Sequence, residues 1–283
     1  SFCNSPGQNR LYGDGDFLQG MSFFRKKSMN LVKTEIESHI KKYDVEYIYF
    51  WADTFLAWNN KEFDQFCEMY EEFKLPFWCQ TRIETIEEDK FRRLKELGLD
   101  RVTFGLDHGN EKFRRDIVKR DYPNDDAVSK IKIIEKLGLT FSVNNIIGFP
   151  DETRELAFDT IELNRRFNSD NTSCSILVPF HGTELHSYAV EKGYLDPNVI
   201  CSVSNSGESL LNMPQWDKKD MTRLRDVFAM YIKFPKDRWP EIKRAETDDV
   251  LRSKLREEFV KTYWSDSAAK IEDDIAEAAK GLF

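Results

Sequence analysis

Five short stretches of the sequence concentrate the residue types that bind or act on polar ligands. They are Asp53-Thr54, Gln80-Thr81-Arg82, Asp107-His108-Gly109, Gly148-Phe149-Pro150-Asp151-Glu152-Thr153 and Pro179-Phe180-His181-Gly182-Thr183. A carboxylate can receive a cation, a guanidinium can pair with a carboxylate, imidazole can move a proton, and glycine lets backbone come close to a ligand. Any one stretch also has a plainer reading, because Gly, Pro and Asp are ordinary turn residues. His108 and His181 stay open between loop residues and proton carriers. Cys67, on an apolar helix face, and Cys79, beside Trp78 in an apolar run, read as small core residues. His39 lies in a charged helix and reads as solvated.

The five stretches share one context, since each directly follows a strand-like segment. Tyr47-Ile48-Tyr49-Phe50-Trp51 reads as a buried strand, and further strands begin near residues 77, 101, 140 and 173. Helical segments separate them. Residues 30–43 carry Leu31, Ile36 and Ile40 on one face, and residues 61–73 carry Phe63, Phe66, Met69, Tyr70 and Phe73, which read as core packing. Thr85-Ile86-Glu87-Glu88 predicts a capping box, and Gly98 and Gly138 predict helix ends. Helices are also expected over 125–137, 153–167 and 183–192. Such a series predicts parallel pairing with right-handed crossovers, in an open sheet or a barrel, and ligands bind at the carboxyl ends of such strands. The five polar stretches therefore form one rim.

After Gly193 the rhythm stops. Residues 194–215 read as an irregular connection, and from Asp217 the chain reads as helical, with breaks at Phe234-Pro235 and Trp239-Pro240. The alanine-rich end, Ser265 to Phe283, is expected to fray. The domain division expected is 1–192 for the barrel core and 193–283 for the helical region.

The 283 residues, with 40% hydrophobic and 13% aromatic side chains, suffice for a sizeable core. A formal net charge of -8 argues against a nucleic-acid backbone as partner, which needs a surplus of Lys and Arg on one face. No apolar run reaches the length of a membrane span. Cys3, Cys67, Cys79, Cys174 and Cys201 are odd in number and scattered, show no disulfide framework, and suit a reducing cytoplasm. Ser1 stands where an initiator Met would, which suggests a fragment.

Two kinds of motif carry a resemblance. Ser1-Phe2-Cys3-Asn4-Ser5-Pro6 resembles the end of the Cys-x3-Cys-x2-Cys motif of radical S-adenosylmethionine enzymes. Trp51-Ala52-Asp53-Thr54-Phe55, Gln80-Thr81-Arg82, Gly105-Leu106-Asp107, Gly148 to Thr153 and Pro179 to Leu185 resemble successive strand-end motifs of that superfamily, over roughly residues 1–190. They look most like the branch with a cobalamin-binding domain upstream. The resemblance implies an α/β fold: a partial parallel (β/α)6-type barrel whose first strand lies ahead of Ser1, with a helical carboxyl-terminal region.

It further implies a 4Fe-4S cluster with Cys3 as one thiolate ligand, and the absence of the other two cysteines implies amino-terminal truncation and an inactive fragment. For S-adenosylmethionine it implies Phe2 and the backbone at Ile147 and Gly148 near the adenine, with Pro150 forming the turn. Asp53 falls where the methionine ammonium is received. Arg82 is implied near the methionine carboxylate, a structural salt bridge being the alternative. Asp107 stands where the family more often has Glu against the ribose. Reductive cleavage to a 5′-deoxyadenosyl radical, acting on an unidentified small molecule, is the implied activity, with methyl transfer through cobalamin one outcome among several. A reductant such as flavodoxin or ferredoxin is the implied partner. The rival readings are a cluster-free barrel lyase or hydrolase using Asp53 and Asp107, and a non-catalytic S-adenosylmethionine-binding module.

Overall fold

The computed structural model describes residues 2–13, 26–202 and 207–264. Helix α1 (Ser5–Gly13) and α2 (Met29–Tyr43) precede β1 (Ile48–Phe50). There follow α3 (Asn60–Tyr70), β2 (Phe77–Arg82), α4 (Glu88–Glu96), β3 (Leu99–Asp107), the single turn α5 (Glu111–Phe113), α6 (Asn124–Lys136) and β4 (Thr140–Ile147). The series closes with α7 (Arg154–Asn164), β5 (Asn171–Ile176) and α8 (Glu184–Glu191). The five strands are all parallel and lie in chain order, β1-β2-β3-β4-β5. This is the predicted α/β architecture, and among the described residues it holds five strands.

The two faces of the sheet differ in chemistry. Toward the helices, Phe77 and Cys79, Val102, Phe104 and Leu106, and Phe141 and Val143 are buried against Phe63, Phe66, Tyr70, Phe91, Leu94, Ile131 and Ile134. Burying each such side chain contributes about 1.5–3 kcal/mol, which makes this face the main stabilising layer. The opposite face carries Tyr49, Trp78, Gln80, Arg82, Thr103, Gly105, Ser142, Asn144, Ser173 and Ser175 in register. Parallel sheets are ordinarily apolar on both faces. A polar face is stable where its groups meet water, a polar ligand or one another, and this row, turned away from the helices, is the lumen side of the barrel-like sheet.

Two expectations are corrected. The run from Tyr47 to Trp51 is not buried throughout: Tyr47, Tyr49 and Trp51 are exposed, Trp51 to 80%, while the alternate Phe50 packs on the core. Strand periodicity of two decided this, against an all-apolar run. Thr85 does not cap a helix, because its hydroxyl meets Thr81 Oγ1 at 2.8 Å and donates to the Arg82 carbonyl at 2.7 Å. The helix begins three residues later, with no side-chain cap at Glu87. A full capping box occurs instead at Asn59 and Glu62, opening α3. Gly98 (φ 110°) and Gly138 (φ 63°) end their helices as predicted.

Beyond α8 the chain is helical: α9 (Lys218–Lys233), α10 (Trp239–Ala245) and α11 (Asp249–Tyr263). Helix α9 lies beside β5 and α7. Arg165 Nη1, at the end of α7, donates to the carbonyls of Tyr231 and Ile232 at 2.7 Å and Phe234 at 2.8 Å, satisfying orphan groups at the carboxyl end of α9. Met221, Leu224, Val227 and Phe228 of α9 share a second core with Ile147, Phe149 and Ile176. The helical region thus braces the end of the sheet. The expectation for Ser265 to Phe283 lies outside the described residues. No helix among the described residues is long and apolar enough to cross a membrane.

Candidate active site

Parallel pairing in chain order brings the ends of all five strands to one edge. At that edge the loop after β3 is held by α7. The Gly109 N–H donates to Thr160 Oγ1 at 2.8 Å, and a Cβ on Gly109 would stand 2.3 Å from the Asp159 carbonyl oxygen. Only glycine fits that approach. The adjacent His108 is fully buried. Its Nδ1 accepts from the Asn110 N–H at 3.1 Å, so the ring proton resides on Nε2, which faces Glu152 Oε1 at 3.2 Å. Glu152, equally buried, accepts with Oε2 from the Phe149 N–H at 2.9 Å. The loops after β3 and β4 are therefore fastened by one carboxylate.

The segment around Cys3 sits on this fastened pair. The Phe2 ring meets Phe149 edge-on at 6.2 Å, and Phe149 in turn meets His108 at 6.1 Å. On the other side, a Cβ on Gly7 of α1 would stand 2.7 Å from the Gly182 carbonyl oxygen, so α1 leans on the loop after β5. Cys3 is exposed between these supports. Cys67 and Cys79 are buried as expected, and burial pushes the Cys67 thiol up to about 11 and that of Cys79 higher still. Neither is a ready thiolate.

The remaining predicted residues take different positions along the rim. Asp53 is exposed after β1. Arg82 is exposed at the end of β2, in register with Gly105, and its guanidinium has no hydrogen-bond or ion-pair partner among the described residues. Asp107 is buried with φ 65°, and its Oδ2 pairs with Arg120 Nη1 at 2.7 Å. Arg120 also pairs with Glu84 at 2.5 Å and donates to the Gly105 carbonyl at 2.8 Å. The Asp107 Oδ1 stands over Gly105, 3.4 Å from where a Cβ would be. Asp107 is thus a fixed carboxylate with one oxygen facing the lumen row.

Ile147, Gly148 and Pro150 are buried at the end of β4. Gly148 has φ 81°, which strains any side chain, and Met221 Sδ and Ile176 stand 3.3 and 3.4 Å from its Cβ position. Next to it, Asp151 accepts from the hydroxyls of Tyr188 and Tyr194. Partial burial pushes this carboxyl up, but the two hydroxyl donors outweigh it and hold it below the usual range.

Along the lumen, Trp78 Nε1 donates to Thr103 Oγ1 at 2.8 Å, Thr103 meets Ser142 at 2.8 Å, and Ser173 donates to Asn144 at 2.7 Å. Tyr49 stacks on Trp78 at 4.5 Å. Asp53 and Gly148 end strands three places apart, on the order of 14 Å at the usual strand spacing. Such a rim can hold an elongated ligand with a cationic end, an anionic end and a planar group.

Sequence reasoning did not single out Glu152, Arg120 or Glu84. Glu152 stood within a quoted motif, and its place three residues after Phe149 was the available signal. Arg120 lies 13 residues from Asp107 and 36 from Glu84, separations that carry no local pattern.

The sequence model described as Radical SAM superfamily matches residues 1–163. An uncharacterized methyltransferase of Pyrococcus horikoshii is 28% identical over 179 residues, 63% of this chain and 39% of that protein. Biotin synthase of Persephonella marina is 28% identical over 129 residues, 45% of this chain and 38% of the enzyme. The chain thus spans well under half the length of these relatives. Among solved structures, the cobalamin-dependent S-adenosylmethionine radical enzyme OxsB superposes with a TM-score of 0.56, at 11% identity, over 90% of this chain and 46% of that one. That likeness is one of fold.

Proposed function

The chain belongs to the radical SAM superfamily, and from that premise we propose that it forms the S-adenosylmethionine-binding barrel of an enzyme that cleaves this cofactor reductively and uses the radical on a small molecule. The observation that carries the reading is the convergence of five polar strand ends on one edge above a polar lumen. Methyl transfer through cobalamin is one outcome open to that radical, as are ring formation and rearrangement, and a relative named a methyltransferase supports it.

The residues present fit S-adenosylmethionine. Arg82 offers an unpaired guanidinium to a carboxylate, Asp53 an exposed carboxylate to an ammonium, and Asp107 one oxygen to a ribose hydroxyl. Phe2, Ile147 and Gly148 line the place for the adenine, with Pro150 fixing the turn. Cys3 fits one thiolate position of a 4Fe-4S cluster. Among the described residues no group of metal-ligating side chains includes Cys3, so two further thiolates would have to come from outside these residues. When bound, cluster and cofactor together supply a one-electron cleavage of a carbon–sulfur bond. The chain's own part is to hold the cofactor, orient it toward the lumen and exclude water. A ferredoxin- or flavodoxin-like electron donor and a reducing, cytoplasmic setting accord with this reading.

Two measurements test it. Calorimetric titration of the 283-residue chain with S-adenosylmethionine should show saturable binding that Arg82→Ala weakens. A longer version carrying Cys immediately before Ser1 and another four residues earlier should bind four irons on anaerobic reconstitution and release 5′-deoxyadenosine on reduction. Absence of either cysteine from the gene would return the fold to a cluster-free barrel enzyme or a binding module. Binding without cleavage would make it a binding module.

A further inference from the structure

At the rim loop after β5, and in no role assigned above, three metal-binding side chains meet. They are His181 in that loop, His186 in the first turn of α8, and Cys201 in the connection that follows. One donor atom from each lies within 4.8 Å of the others. The two imidazoles are 4.3 Å apart between ring centres. Packing alone accounts poorly for this group, because Nε2 of His186 is sealed from solvent and has no hydrogen-bond partner among the described residues. Buried polar atoms nearly always find a partner, so an orphan ring nitrogen aimed into such a group points to a missing one.

We propose that His181, His186 and Cys201 bind a divalent zinc ion, with a water as fourth ligand. Imidazole nitrogen and thiolate sulfur are both zinc ligands, and three protein ligands with a water in the fourth place make an open tetrahedral zinc site. Zinc–ligand bonds of about 2.0–2.3 Å place tetrahedral donors about 3.5 Å apart. The present separations, up to 4.8 Å, exceed that by about 1.3 Å at most, which side-chain rotation can close, His181 being exposed.

The surroundings already suit ligation. His181 Nε2 donates to the Val199 carbonyl at 3.1 Å, so in the neutral tautomer the lone pair lies on Nδ1. Metal-bound histidines typically donate their other N–H to a carbonyl in this way. His186 is disfavoured as a cation by burial and by the neighbouring His181, which leaves one ring nitrogen with a lone pair free to bind a metal. The Cys201 thiol is raised by burial and would remain protonated without a cation. Binding therefore replaces its S–H bond by a zinc–sulfur bond and releases one proton to solvent. The ion would tie residues 199–201 to α8 and so stiffen the loop against which α1 rests.

Cobalt(II) is a visible probe of this site. Titration of the metal-free 283-residue chain should saturate at one equivalent, with tetrahedral d–d absorption and a thiolate-to-cobalt charge-transfer band, both abolished by added zinc. Cys201→Ser should remove the charge-transfer band, and His186→Ala should weaken binding by roughly a hundredfold or more, beyond the usual second-shell effect. Cys3→Ser should change neither, which separates this site from the one proposed around Cys3. A band lost in Cys3→Ser, or retained in Cys201→Ser, overturns the proposal, as does a spectrum with no tetrahedral cobalt. Cys201→Ser is nearly isosteric, so its reading stands even where His186→Ala unfolds, as circular dichroism would reveal.

Discussion

The buried imidazole of His108 and the buried carboxylate of Glu152 meet at 3.2 Å, joining the loops after β3 and β4 across 44 residues of sequence. Glu152 also accepts the Phe149 N–H, so Glu152→Ala strands two buried donors. The expected loss is on the order of 3 kcal/mol of folding stability, the summed cost of two unmet hydrogen bonds. Glu152→Gln keeps one acceptor and should lose less. Urea unfolding of both variants checks the order, and equal losses would mean that only packing matters there.

Arg120 bridges Asp107 and Glu84 at the mouth of the lumen. Replacing it by Leu leaves the Asp107 carboxylate buried and unpaired, a change that costs about 3–5 kcal/mol for buried pairs. Asp107→Asn combined with Arg120→Leu should recover part of that loss. If the double variant is no more stable than the single one, the ion pair is not what holds the strand end.

A Cβ on Gly109 would stand only 2.4 Å from Thr160 Cα of α7, a distance no Cβ tolerates. Gly109→Ala must push the β3 loop from α7, and overpacking of this kind costs about 1–3 kcal/mol or more. Thermal unfolding gives the number, and a melting point equal to the parent's would contradict the close approach.

Arg82 separates binding from stability. Being exposed and unpaired, it should tolerate alanine within about 0.5 kcal/mol of folding stability. Loss of a charged hydrogen bond, about 1.5–3 kcal/mol, should meanwhile weaken S-adenosylmethionine binding at least about tenfold. Unchanged affinity in Arg82→Ala would remove this residue from the site.

The carboxyl of Asp151 is held below its usual range by the hydroxyls of Tyr188 and Tyr194. A carboxylate depressed in the folded state contributes stability that is present above its unfolded value and is lost as pH falls through its folded one. Tyr188→Phe should raise the Asp151 titration midpoint, read by carboxyl NMR, and reduce stability at neutral pH relative to strongly acidic pH. A midpoint that stays in place would show that Tyr188 does not tune this group.

By itself the sequence determined the order of elements and the rim. Strand and helix periods, Gly98 and Gly138 as helix ends, and the five polar stretches are local signals, set by a few neighbouring residues and hence legible. Local reading failed where a side chain had a distant alternative. Thr85 gave its hydroxyl to Thr81 and Arg82 in place of a helix end, and Tyr49 turned to the lumen although the run around it is aromatic throughout. Only the tertiary structure decided that Glu152 fastens two loops, that Arg120 occupies one oxygen of Asp107 while Arg82 has no partner among the described residues, and that His181, His186 and Cys201 meet. These relations depend on which strands are neighbours and how far each loop projects. Short-range propensity carries neither quantity, because both are fixed by the packing of helices on the far side of the sheet.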